Sequence, residues 1–356
     1  MPTHSTDRPT IPPTVWPAHG RYVGSGAEES LRRTLRLHRD DGSVDAFRET
    51  PEGEEGGLVF EARWRVSAGV PVRSRLSLAP STAGGRQWTL LAEAEAHWDL
   101  SWPSPAGMFW PDDPEIPWDR DAATGLRLRG INALPEDDRS LRRLLRDAAR
   151  HSWQIHVVVH EAMTPDHRGR VPLSEWLPPS LRHGVVEHRA APRQLRTVNW
   201  ALRSLGVQVP RGGAVVLPGP VPPSAADPAT PAVRSVFLDG TEPSELIATV
   251  VRFAAAARPL PDGAAGELDA LREEWGLFTP EEELARERRT VALYAEALEA
   301  MTRSRDLYRE AAERANEALA AYREAAERPP QRATPALRSL VRALDRRGRS
   351  AEVSRD

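Results

Sequence analysis

The chain contains no cysteine and no lysine. Without cysteine there is no disulfide, thiol nucleophile, zinc knuckle or Fe–S cluster. Without lysine there is no phosphate-loop lysine, no Schiff base and no ATP-pairing lysine of the kinase type. All 48 basic residues are arginine. Asparagine and isoleucine are sparse, while alanine, arginine, proline and glycine abound. That is the composition of high-GC coding, and a bacterial source is expected. Arginine then stands in for ordinary surface lysine, so clustered arginine says little about nucleic acid. The formal net charge of −3 supplies no basic field to attract it.

Long hydrophobic runs are absent too. The best candidate, "LIATVVRFAAAA", is short and interrupted by Arg252. The opening "MPTHSTDRPTIPPTVWP" has no apolar segment of the signal-peptide kind. No membrane insertion and a cytoplasmic location are expected.

What is present divides the 356 residues into regions. Residues 1–27 are rich in Pro, Thr and Gly with little to bury, and disorder is expected. Residues 28–100 alternate with period two. Leu58, Phe60, Ala62, Trp64 and Val66 share one face, and Glu61, Arg63 and Arg65 share the other. Val72, Leu76 and Leu78 oppose Arg73 and Arg75; the Trp88–Trp98 stretch alternates likewise. The pattern predicts an antiparallel β-meander with one face covered and one wet. Residues 101–136, dense in Trp, Pro and Asp, read as a long loop. Residues 137–260 switch between helical and strand periodicity, which predicts a small α/β layer. Residues 263–329 are helical, and 330–356 hold a short helix and a basic tail. The fold class is therefore α+β, with a long C-terminal coiled-coil-type helix.

That helix, expected over 280–328, carries the sharpest signal. The seven residues Tyr-Arg-Glu-Ala-Ala-Glu-Arg occur twice, starting at Tyr308 and Tyr322, a spacing of two heptads. Thr279 and Pro280 followed by Glu281–Glu283 mark its start, and Pro329-Pro330 its stop. About 49 residues lie between, roughly 73 Å at ~1.5 Å per residue. Counting from Leu284 in steps of three and four gives one stripe. It holds Glu287, Val291, Tyr294, Leu298, Met301, Arg305, Tyr308, Ala312, Ala315, Leu319, Tyr322 and Ala326. Only Glu287 and Arg305 are charged, as expected of an a/d seam in a coiled coil. The seam is expected to pair with a second copy or dock a protein partner. A hairpin folding back around "MTRSRD", or a solvated single helix, is also compatible with the pattern.

Other constellations are weaker. His160, Glu161, Asp166 and His167 follow the strand at 152–160, and Asp239 ends a later strand. Such a His–carboxylate set at strand ends could perform acid–base chemistry or assist a metal. His156 and His160 sit roughly 13 Å apart along a strand, too far to share one ion. Trp102, Trp110 and Trp118 either anchor the long loop or face a partner. The glycines of "PRGGAVVLP" lead into a strand rather than a helix, so no phosphate cradle or cofactor site is expected. Two readings result: a non-enzymatic assembly or adaptor protein working through its C-terminal helix, or a hydrolase-like enzyme using the His160 group.

Overall fold

A computed structural model describes residues 9–52, 56–81, 84–111, 115, 118–122, 124–151, 153–160, 171–210, 212–217, 234–237, 243–256, 258–261, 263–327 and 339. The chain divides into two units, Met1–Leu277 and Phe278–Asp356. The architecture is α+β.

The first unit begins with β1 (Val15–Tyr22), α1 (Ala27–Asp40), β2 (Ala46–Glu52), β3 (Gly57–Arg65), β4 (Pro71–Pro80), β5 (Arg86–Ala94) and a single turn, α2 (Ala106–Phe109). The five strands form one antiparallel sheet in the order β1-β5-β4-β3-β2. The period-two faces are as the sequence implies. Phe60, Trp64, Val72, Leu76, Leu78, Trp88 and Leu90 enter one core together with Leu31 and Leu35 of α1.

Three expectations for this region need correction. Residues 15–22 are an ordered strand, not a disordered arm. Trp16, Ala18 and Tyr22 alternate inward, and Pro17 is tolerated because β1 lies at the sheet edge. Residues 27–40 are helical rather than strand. Leu31 and Leu35 are one helical turn apart, and Glu28 and Glu29 occupy the first turn. The second sheet face is not wholly wet, since Glu61 and Arg75 are buried there.

That second face is covered by α6 (Ala264–Glu273), which lies beyond the next layer in sequence. Arg48 Nε donates to Glu61 Oε2 at 2.6 Å, and Arg75 Nη1 lies 3.7 Å from Glu61 Oε1. From α6, Glu267 accepts from the Ser77 hydroxyl at 2.6 Å and Arg75 Nε at 3.4 Å. Arg272 bonds Glu93.

The remaining elements of the unit are β6 (Ile131–Ala133), α3 (Asp138–His151), β7 (Ile155–His160), β8 (Val185–Ala190), α4 (Leu195–Leu202), β9 (Gly213–Leu217), β10 (Arg234–Phe237) and α5 (Ser244–Ala255). The strands form a mixed sheet, β10-β9-β7-β8-β6. β6, β8 and β7 are parallel, while β9 runs against both β7 and β10. β6 comes from the end of the stretch expected as pure loop. α3 and α4 cover one face and α5 the other.

The second unit holds α7 (Pro280–Glu327), a continuous helix of 48 residues. No hairpin interrupts it at residues 301–306. Thr279 Oγ1 accepts from the Glu282 N–H at 3.0 Å, and Glu282 Oε2 accepts from the Thr279 N–H at 2.7 Å. This reciprocal capping satisfies two amides that the helix start would otherwise leave open. No helix among the described residues is long and apolar enough to cross a membrane.

Candidate functional site

His160 ends β7, a central strand, and is buried. Phe237, the last residue of β10, lies at the same sheet edge, with the start of β9 between them. Glu161, Asp166, His167 and Asp239 lie outside the described residues. Among the described residues no three His, Asp or Glu side chains converge as a metal site.

His156, on the same strand as His160, has a histidine as its close partner. Its Nδ1 lies 2.8 Å from His188 Nε2, and the rings stack with centroids 5.1 Å apart. The parallel register pairs His156 with Val186 and Val158 with His188, so the two rings meet on the diagonal of one face. Burial holds His156 down at about 4. Burial, and then the charge of a protonated His156, keep His188 well below its ordinary value. Two neutral imidazoles sharing one N–H···N bond form a structural tie within a core. The sequence shows two histidines in valine-rich strands, but pairing them requires the strand register.

Glu187 and Arg189 occupy the opposite face of β8. Arg189 Nη2 lies 2.5 Å from Glu187 Oε1, and Glu187 Oε2 accepts the Leu173 N–H at 2.6 Å. Burial pushes the Glu187 carboxyl up, against the pull of Arg189. The pair ties the segment at Leu173 to β8, and both side chains are almost closed to solvent.

Trp102, Trp110 and Trp118 are all buried. Trp110 and Trp118 stack at 5.6 Å, and Trp88 tilts against both. Trp88 Nε1 donates to the Trp118 carbonyl and Trp118 Nε1 to that of Pro111. These rings pin the irregular stretch onto the first sheet, each supplying a large apolar area while the two indole N–H groups find carbonyls. Buried in this way, the three rings present little area to a protein partner.

Beside this cluster opens a cleft of about 890 Å³. Its walls come from the end of α1, the turn at α2, and the segment 179–183. Trp110 and Met108 supply apolar lining, and Arg129, Arg182, His38 and His183 supply polar lining. His183 Nδ1 lies 2.7 Å from the Ser104 hydroxyl. The volume suits a small molecule. Sequence reasoning missed it because the walls come from four separate segments with no local motif.

Among the described residues, most of the exposed large apolar side chains lie on α7. Every residue of the helix is exposed except the half-buried Thr290 and Asp306. On the seam, Tyr294, Met301, Tyr308 and Tyr322 are 68%, 64%, 76% and 75% exposed, and Leu284, Val291, Leu298 and Leu319 are exposed as well. Ala312 and Ala315 lie on the same stripe. Large apolar side chains repeated along one stripe mark an interaction surface, whereas scattered single ones do not.

Comparison with protein-family models and with curated proteins finds no match for this chain.

Proposed function

We propose that the protein is a non-enzymatic assembly or adaptor protein of the cytosol that self-associates through α7. The observation that carries this reading is the unbroken helix with its heptad seam in solvent. A helix of this kind gains most of its stability from packing an apolar face, not from intrinsic propensity. Its exposed ion pairs, such as Arg303–Glu299 at 3.0 Å, are worth little by comparison. Self-association through α7 would then bring copies of the first unit into one particle. Neither nucleic acid nor a membrane is required as a partner.

The test is light scattering on the intact chain and on a chain ending at Leu277. The reading expects more than one copy per particle for the former and a single copy for the latter. Equal numbers of copies in both would remove it.

A further inference from the structure

We infer that two copies of α7 pair antiparallel, with their midpoints near Arg303 in register. This rests on the self-association reading and adds orientation to it. The helix measures about 72 Å, and a strip roughly 10–12 Å wide gives about 800 Å² per copy, the size of a stable protein interface. The face is thus large enough for one partner helix of equal length.

Orientation follows from what each arrangement places in contact. In a parallel pair, each a or d residue meets its own counterpart. Arg305 would face Arg305, Glu287 would face Glu287, and each of Tyr294, Tyr308 and Tyr322 would face itself. Two like-charge layers and three Tyr–Tyr layers result. In the antiparallel pair, a positions meet d positions. Arg305 then lies opposite Met301, Leu298 opposite Tyr308, Val291 opposite Ala315, and Leu284 opposite Tyr322. Ala312 lies opposite Tyr294 and Leu319 opposite Glu287. No like-charge layer remains, and every tyrosine meets a smaller side chain.

The flanking rows agree. After Glu283 in the first turn, position g carries Thr290, Ala297, Ser304, Ala311, Ala318 and Ala325, all small. Position e carries Glu281 in the first turn and then Arg288, Arg309 and Arg323 among uncharged residues. Antiparallel pairing brings the two g rows together on one side, where small side chains let the helices approach closely. Leu293 and Leu307, beside that row, widen the apolar strip there and are exposed. The two arginine rows then share the open side. Parallel pairing would set each arginine row against a g row whose one carboxylate is Glu283, so a single g-to-e ion pair per side, Glu283 to Arg288, could form.

The absence of native cysteine allows a direct test in the full-length chain. Arg303→Cys and Glu317→Cys each place one spin label on the charged outer face. In the antiparallel pair the axial offset between labels is near zero at position 303 and about 42 Å at position 317, from ~28 residues at ~1.5 Å. Pulsed dipolar spectroscopy should return a clearly longer distance for Glu317→Cys than for Arg303→Cys. Equal distances at both positions would mean a parallel pair, overturning the inference while leaving self-association intact. No intermolecular distance at either position would defeat self-association itself.

Discussion

His156 Nδ1 and His188 Nε2 approach to 2.8 Å inside the second sheet, and neither ring has appreciable contact with solvent. Both pKa values lie below the ordinary 6.5, with His156 at about 4. The unfolded chain therefore binds more protons than the folded one once pH drops below about 6.5, and stability falls as pH falls toward 4. For His156 alone the loss is on the order of 3 kcal/mol across that window. Glu187 is raised and acts in the opposite direction, so the net slope is smaller. Thermal midpoints measured between about pH 7 and pH 5 should fall more steeply in the native chain than in His156→Leu/His188→Leu. Identical slopes would count against the neutral pair.

Glu61 is fully buried between Arg48 and Arg75. Glu61→Ala removes the buried acceptor of Arg48 and one of three carboxylates beside Arg75, which keeps Glu267 and Glu274. A loss of about 3–5 kcal/mol is expected in urea unfolding. Replacing Glu61 and Arg75 together by leucine should restore part of it, because apolar side chains then fill the buried space of both charged groups. If the double variant is as unstable as the single one, ion pairing is not what holds this face.

Gly20 of β1 admits the Trp88 ring where a side chain would sit. An added Cβ would lie 2.4 Å from that ring and 2.7 Å from the Arg120 carbonyl oxygen. Gly20→Ala must push the tryptophan or the Arg120 segment away, and about 1–3 kcal/mol of destabilisation is expected. Chemical denaturation measures this. A neutral effect would show that the approach is looser than described.

The period-two stretches from Leu58 to Arg65 and from Trp88 to Ala94 were legible because one face of that sheet packs on a single apolar core, whereas the alternation continued to Trp98 past the end of β5. α7 was legible as well, since a heptad pattern with a capping box at Thr279 needs no tertiary information. β1 was hidden because Pro17 and Gly20 resemble loop composition, and only the sheet edge and the Trp88 ring explain them. The Glu61–Arg75 face read as solvated because its cover, α6, lies some 190 residues further along the chain, as in the Ser77–Glu267 bond. The His156–His188 contact depends on strand register, which alternation alone does not supply. Nor does local sequence reveal the cleft beside Trp110, whose walls are separate in sequence.

The central claim is that the α7 seam joins copies of this chain. Sedimentation equilibrium of the intact protein over a concentration series tests it most directly, alongside Leu298→Glu/Met301→Glu. The account predicts a particle of two chains that dissociates to 39.4 kDa in the variant. A single-chain mass for the unaltered protein at every concentration would contradict it.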